Sequence, residues 1–221
     1  MSPKSNPKAV NAFRRRLLAW YRTAARDLPW RRTRDPWAIL VSEFMLQQTQ
    51  VSRVMAFWPR FLKRYPTVQR LARARPAAVR EAWEGLGYYR RAENLHRLAK
   101  VVVREMDGTL PDEPAELEKL PGVGHYTAGA VACFAYEKPA ATVDTNVARV
   151  LGRYFRVAGM RNLIALHRAL QPRRGATAYA FNQGVMELGA LVCTARRPRC
   201  PECPVRKGCR YAAQEGLAAL K

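Results

Sequence analysis

The chain has 221 residues, enough for one large domain or two intimate small ones with an ample core. Lys and Arg number 39 against 17 Asp and Glu, a net charge of +22 that implies a polyanionic partner, although charge alone leaves a ribosome-associated or merely soluble basic protein open. No stretch has the roughly 18 consecutive apolar residues of a membrane span, so no membrane partner is expected. The polar segment 1–11 lacks a signal-peptide core, and a reducing compartment follows as the expectation.

In chain order, nearly every periodic segment reads as helix. Val10–Ala25 repeats Phe13, Leu17, Leu18, Trp20 and Tyr21 at helical spacing, and Pro29 breaks it. Pro36 then opens a helix expected to run from Trp37 to Gln50. Ser42, Glu43 and Gln47 interrupt this otherwise apolar segment. Further helices are predicted over 51–64, 68–74, 76–83, 90–106, 114–120, 126–135, 146–155, 163–170 and 179–193. Ala140–Val143 is the single β-like run and reads better as a buried loop. Many helices with short, Gly- and Pro-punctuated connections predict an all-α fold.

Two local patterns carry chemistry. Cys193, Cys200, Cys203 and Cys209 have the spacing C-x6-C-x2-C-x5-C, which suits one tetrahedral or cubane metal site, and on spacing alone zinc satisfies it as well as iron and sulfur. Arg196, Arg197 and Arg199 lie between these cysteines and are candidates to grip phosphate; an ordinary solvated basic loop is the alternative. Cys133 stands apart in an apolar stretch and reads as a core residue. The second pattern is Leu120-Pro-Gly-Val-Gly124 ahead of a new helix. Gly122, Val123 and Gly124 offer close backbone approach and a helix N-terminus with unpaired N–H groups, a phosphate site that does not read sequence. Taken by itself, G-x-G before a helix is also an ordinary helix–helix turn.

These patterns fall within a longer series: Leu28-Pro-Trp-Arg31, Ser42-Glu-Phe-Met-Leu-Gln-Gln-Thr-Gln-Val51, Gly85-Leu-Gly-Tyr-Tyr89, Leu120-Pro-Gly-Val-Gly124, Val143-Asp-Thr-Asn-Val147, Phe181-Asn-Gln183 and the four cysteines. The chain thereby resembles the endonuclease III superfamily of helix-hairpin-helix DNA glycosylases, over about residues 28–209, and within it the adenine DNA glycosylase branch. The resemblance implies a two-lobed all-α fold. Residues 28–138 would form a six-helix barrel with the hairpin at about 114–136. Residues 1–27 with 139–221 would form an iron–sulfur helical domain. The cofactor implied is a [4Fe-4S] cluster. The implied partner is double-stranded DNA containing a mismatched or damaged base pair, bound by a monomer in the cytoplasm with the nucleoid, or in the nucleus of a eukaryote.

Residue roles follow from the same resemblance. Glu43, expected to be buried and so to favour its protonated form, would be the general acid at the leaving base. Asp144 would stay ionised and stabilise the sugar cation, while its position before a helix also makes it an N-cap. Tyr126 occupies the position where bifunctional relatives carry a lysine that forms a Schiff base, so hydrolysis without strong lyase activity is expected. Gln48 and Tyr88 would probe the duplex, unless they are an ordinary surface glutamine and a core tyrosine. Arg26, Trp30, Arg31, Leu46, Thr49, Val51, Leu86 and Glu187 complete the base pocket and probing set, with plain core packing open for Trp30 and a half-exposed helix acid open for Glu187. Leu46-Gln-Gln-Thr-Gln50 and Glu43 favour adenine as the excised base. Thymine or uracil opposite guanine remains the alternative, and a non-catalytic duplex-binding module is a third reading.

Overall fold

A computed structural model describes residues 7–218. Residues 1–6 and the end of the tail from 219 lie outside it, so the expectation for the polar N-terminus falls partly there. The described residues form twelve α-helices and two short 3-10 turns, with no strand among them. Residues 140–143 are a loop, as their burial without alternation predicts.

The chain divides into two compact units. One comprises Asp27–Lys138. It holds α2 (Pro36–Leu46), α3 (Val51–Arg64), α4 (Val68–Ala72), α5 (Pro76–Ala82), α6 (Arg90–Glu105), α7 (Pro114–Leu117) and α8 (His125–Tyr136). Its centre is the pairing of α2 with α8. Both helices are buried all round, from Trp37 to Met45 and from Thr127 to Phe134. A helix enclosed on every side shows no amphipathic stripe, which is why Ser42 and Glu43 stand out in α2. Asp35 caps α2 by accepting from the Trp37 and Ala38 amides at 3.1 and 3.3 Å, with Pro36 in the first turn. The indoles of Trp37 and Trp58 donate to the carbonyls of Tyr65 and Ala38, at 3.0 and 2.9 Å.

The predicted helix over 37–50 is shorter than expected. α2 stops at Leu46, because Gln48 takes a left-handed backbone with φ 54°. No glycine or proline marks this break. The physical cause is a buried arginine, Arg91, that draws the last carbonyls of α2 out of the helical ladder.

The other unit takes the chain up to Arg26 together with Pro139 onward. It holds α1 (Pro7–Ala24), α9 (Thr145–Phe155), α10 (Met160–Leu170), α11 (Gly175–Leu191) and α12 (Arg210–Ala218). Phe13 of α1 is fully buried and meets the rings of Tyr154, Phe155 and Phe181 at centroid distances of 4.6, 5.5 and 6.3 Å. Leu17, Val150, Leu151, Leu166 and Leu188 fill out this core. Gly184 admits α1 closely, since a Cβ there would sit 3.3 Å from that of Tyr21.

Candidate active site and cysteine cluster

The candidate residues fall in both units. In the unit of residues 27–138, Glu43 lies on the enclosed helix α2 and is 5% exposed. Its expected burial is therefore found. Tyr126 occupies the second position of α8, half-buried. Trp30 is buried, with its ring edge-on to Trp58 at 6.2 Å, which is the core-packing alternative. Leu86 is also core, at 3% exposure. Leu46, Thr49, Val51 and Arg31 are half-buried.

Gln48 and Tyr88 are the residues of this unit that reach outward. Tyr88 is 60% exposed, which removes the core-tyrosine alternative. Both have left-handed backbones, at φ 54° and 48°. That region disfavours non-glycine residues and marks sites where the surroundings impose a conformation.

The hairpin joins α7 to α8. Gly122 has φ 79°, and a Cβ there would sit 2.7 Å from that of Asn94, so the position requires glycine. Gly124 is exposed at the head of α8, and a Cβ there would meet nothing within 4 Å. The approach to the first amides of α8 is open, as a phosphate needs. Val123 is buried and anchors the turn.

In the other unit, Asp144 is the N-cap of α9. Its Oδ1 accepts from the Val147 amide at 2.7 Å and its Oδ2 from Asn146 Nδ2 at 3.3 Å. Burial holds its pKa above the usual aspartate value, and these hydrogen bonds oppose the rise. Capping and a chemical role coexist in this geometry. The preceding loop is held by Asn182, which accepts from the Thr142 hydroxyl at 2.8 Å and exchanges two 3.0 Å hydrogen bonds with Gln171. Glu187 is fully buried, which removes the half-exposed alternative, and Arg26 grips both of its oxygens through Nε at 2.7 Å and Nη2 at 2.9 Å. That hydrogen bonding raises the Arg26 pKa.

The four cysteines line one small cavity of about 20 Å³ together with Arg153, Val192, Arg206 and Tyr211. Burial pushes the Cys203 thiol up to about 11, and the neighbouring cysteines add to the rise. Among the described residues, no three His, Cys, Asp or Glu side chains stand close enough to share one metal ion. Four thiol donors lining one pocket suit a soft metal, a single zinc or an iron–sulfur group alike. Of the intervening arginines, Arg196 and Arg197 are exposed. Arg199 is exposed as well and closes the loop, donating to the Leu191 carbonyl and pairing with Glu202 at 3.4 Å. Cys133 is fully buried in α8, as expected for a core residue.

Three structural residues escaped the sequence reading. Arg91 binds the loops bearing Gln48 and Tyr88. Arg149 and Arg153 tie α9 to the first cysteine loop through the carbonyls of Cys193 and Thr194, each at 2.7 Å. In sequence they are ordinary cations of a basic chain, and the partners that define their roles, Phe44 to Thr49 for Arg91 and Cys193 and Thr194 for the other two, lie more than 40 residues away.

A helical protein with an open hairpin, a buried carboxyl and a four-cysteine pocket has the parts of a DNA-repair enzyme. Residues 41–171 match the family described as HhH-GPD superfamily base excision DNA repair protein, and the chain belongs to that family. It is 51% identical over 196 residues to an adenine DNA glycosylase of Mycobacterium tuberculosis, covering 86% of this chain and 64% of that protein. The chain thus spans under two thirds of the length of that relative. It is also 39% identical over 211 residues to a thymine-DNA glycosylase of Aeropyrum pernix, covering 91% of this chain and 95% of that one. The solved structure of a thermostable thymine-DNA glycosylase superposes with a TM-score of 0.88 at 33% identity, over 94% of this chain and 98% of the other. No described helix is long and apolar enough to cross a membrane.

Proposed function

We propose that this protein is a monofunctional adenine DNA glycosylase of base excision repair, hydrolysing the N-glycosidic bond of adenine mispaired with guanine or 8-oxoguanine. The observation that carries the reading is Glu43, a carboxyl enclosed in an apolar helix that packs against α8, where residue 126 is tyrosine and not lysine. Departure of the base calls for an acid, and a buried carboxyl favours the protonated form that can supply it. The choice of adenine is supported by the higher identity to the adenine-specific relative, 51% against 39%.

Extruding a nucleoside from the stack costs a few kcal/mol. Gln48 and Tyr88, exposed on strained turns, fill the space it leaves. The hairpin amides after Gly122 and Gly124, with Arg196 and Arg197, hold phosphates without reading sequence. Glu43 donates a proton to the leaving base. Asp144 stabilises the positive sugar that develops, and water completes the hydrolysis. Tyr126 lines the sugar site and offers no amine for a Schiff base. Cys193, Cys200, Cys203 and Cys209 would hold a [4Fe-4S] cluster, which would supply a structural cross-link for the basic loop between them and a redox-capable centre.

One gel tests the substrate. Duplexes containing A:G, A:8-oxoguanine, T:G and U:G are incubated with protein and then treated with alkali. Cleavage at adenine in the first two supports the proposal. Cleavage only at T:G and U:G assigns the thymine and uracil alternative, and no cleavage in any duplex leaves a binding module. Borohydride is expected to trap no covalent complex.

A further inference from the structure

Arg91 is the second residue of α6, where the helix dipole disfavours a cation, and yet it is only 7% exposed. Its guanidinium makes six hydrogen bonds, five to backbone carbonyls and one to a hydroxyl. Nη1 donates to the carbonyls of Phe44 at 3.0 Å, Met45 at 2.8 Å and Gln47. Nη2 donates to Thr49 Oγ1 at 3.0 Å and to the carbonyls of Leu86 and Gly87, both at 3.1 Å. No carboxylate is among these partners. The two terminal nitrogens are satisfied by the orphan carbonyls that end α2, by Thr49 and by the Gly85-Leu86-Gly87 turn, while Nε is buried without a hydrogen-bond partner.

These acceptors bracket two positions. Gln47 and Thr49 flank Gln48, and Gly87 precedes Tyr88, whose ring also lies 5.4 Å from the Arg91 guanidinium carbon. Gln48 and Tyr88 are both exposed and both left-handed. Such backbones persist when neighbouring groups over-determine them. One planar fork does this for both turns at once.

We propose that Arg91 is a positioning residue that fixes the probing Gln48 and the wedging Tyr88 as one rigid unit, so that the two enter the duplex together. The inference rests on the glycosylase reading and adds to it a buried residue with no access to DNA. Lysine preserves the charge but has no planar fork and cannot reach both turns with the same geometry.

The test is a coupling cycle. Arg91→Lys is made in the wild type and in a Gln48→Ala, Tyr88→Ala background. Two quantities are read on whichever mismatch the wild type cleaves: the single-turnover excision rate, and the fluorescence of 2-aminopurine at the target position. In the wild-type background, Arg91→Lys is expected to slow excision roughly 10- to 100-fold and to remove most of the fluorescence rise. DNA affinity should change by less than about threefold, since no phosphate contact is lost. In the doubly substituted background the same change should cost less than about threefold, because what Arg91 positions is already gone. An equal loss in both backgrounds, or no loss in the first, overturns the proposal. Should Arg91→Lys fail to fold, Thr49→Val removes one of the fork's acceptors and enters the same cycle. A wild type that cleaves none of the duplexes refutes the glycosylase reading; the fluorescence arm is then read with 2-aminopurine opposite guanine and still reports the coupling.

Discussion

The carbonyl of Cys193 accepts a 2.7 Å hydrogen bond from Arg149 Nε. The same guanidinium reaches Asn146 Oδ1 at 2.6 Å and the Gly189 carbonyl at 2.7 Å, and Asn146 in turn donates to Asp144. The first cysteine and the candidate catalytic aspartate are thus two ends of one hydrogen-bonded chain across the start of α9. Arg149→Gln removes the central fork. It should lower the melting temperature by several degrees, on the order of 1–3 kcal/mol, reduce iron content on purification and slow excision about tenfold. Asp144→Asn is the control: excision lost, iron retained. If Arg149→Gln keeps full iron content and full rate, the chain does not couple the two ends.

Glu43→Gln is isosteric, and the change is confined to a buried position that contacts no phosphate in the proposed scheme. Single-turnover excision of adenine should fall by at least about 100-fold, the range of a lost general acid, with mismatch affinity unchanged within about threefold. Excision at the wild-type rate would remove Glu43 from the acid's role. A parallel collapse in DNA affinity would assign it a structural one.

Asp144 gives the acid side of the pH profile. Burial raises its pKa, so as pH falls it takes up a proton earlier than a free aspartate does. An ionised Asp144 is the active form in the proposed mechanism, so excision should decline on an acid limb above the ordinary value of 3.8. The amide of Asn146 opposes this rise, so Asn146→Ala should move the limb to higher pH. A limb that does not move with Asn146→Ala belongs to another group.

Much of this architecture is legible in the sequence because its signals are local. The cysteine spacing, the hairpin glycines and the helical periods each fall within a few residues; the hairpin is found between α7 and α8, and each predicted helix corresponds to a helix, with differences at the ends. Glu43 was legible for the same reason, as an acid in an apolar run. What escaped depends on distant pairing. The end of α2 at Leu46 has no local mark, since its cause, Arg91, lies more than 40 residues on. The ion pair of Glu187 had no local mark, because its partner Arg26 lies 161 residues earlier, and that pair helps to make full burial of the carboxylate tolerable. In a chain of net charge +22, nothing distinguishes the arginine that organises a turn from those that face solvent or DNA.

His167 supplies a stability expectation independent of catalysis. It is fully buried in α10, stacked on Phe181 at 5.7 Å, and burial depresses its pKa from 6.5 to about 3. The native state therefore keeps the imidazole neutral while the unfolded chain protonates it below 6.5. Between pH 6.5 and 3 the unfolded state binds the extra proton, so stability is present above this window and is lost as pH falls through it. At pH 5 the loss from this residue alone is about 2 kcal/mol, since each unit of pKa difference is worth about 1.4. For a chain of this size that is a fall of roughly 4–8 °C in melting temperature between pH 7 and pH 5. His167→Leu removes the titration. The variant should be less stable than the wild type at pH 7 through imperfect packing on Phe181, and should show a smaller loss on acidification. Melting curves of both proteins at pH 7 and pH 5 decide the point: equal acid sensitivity would mean that His167 is hydrated and protonated in the folded protein.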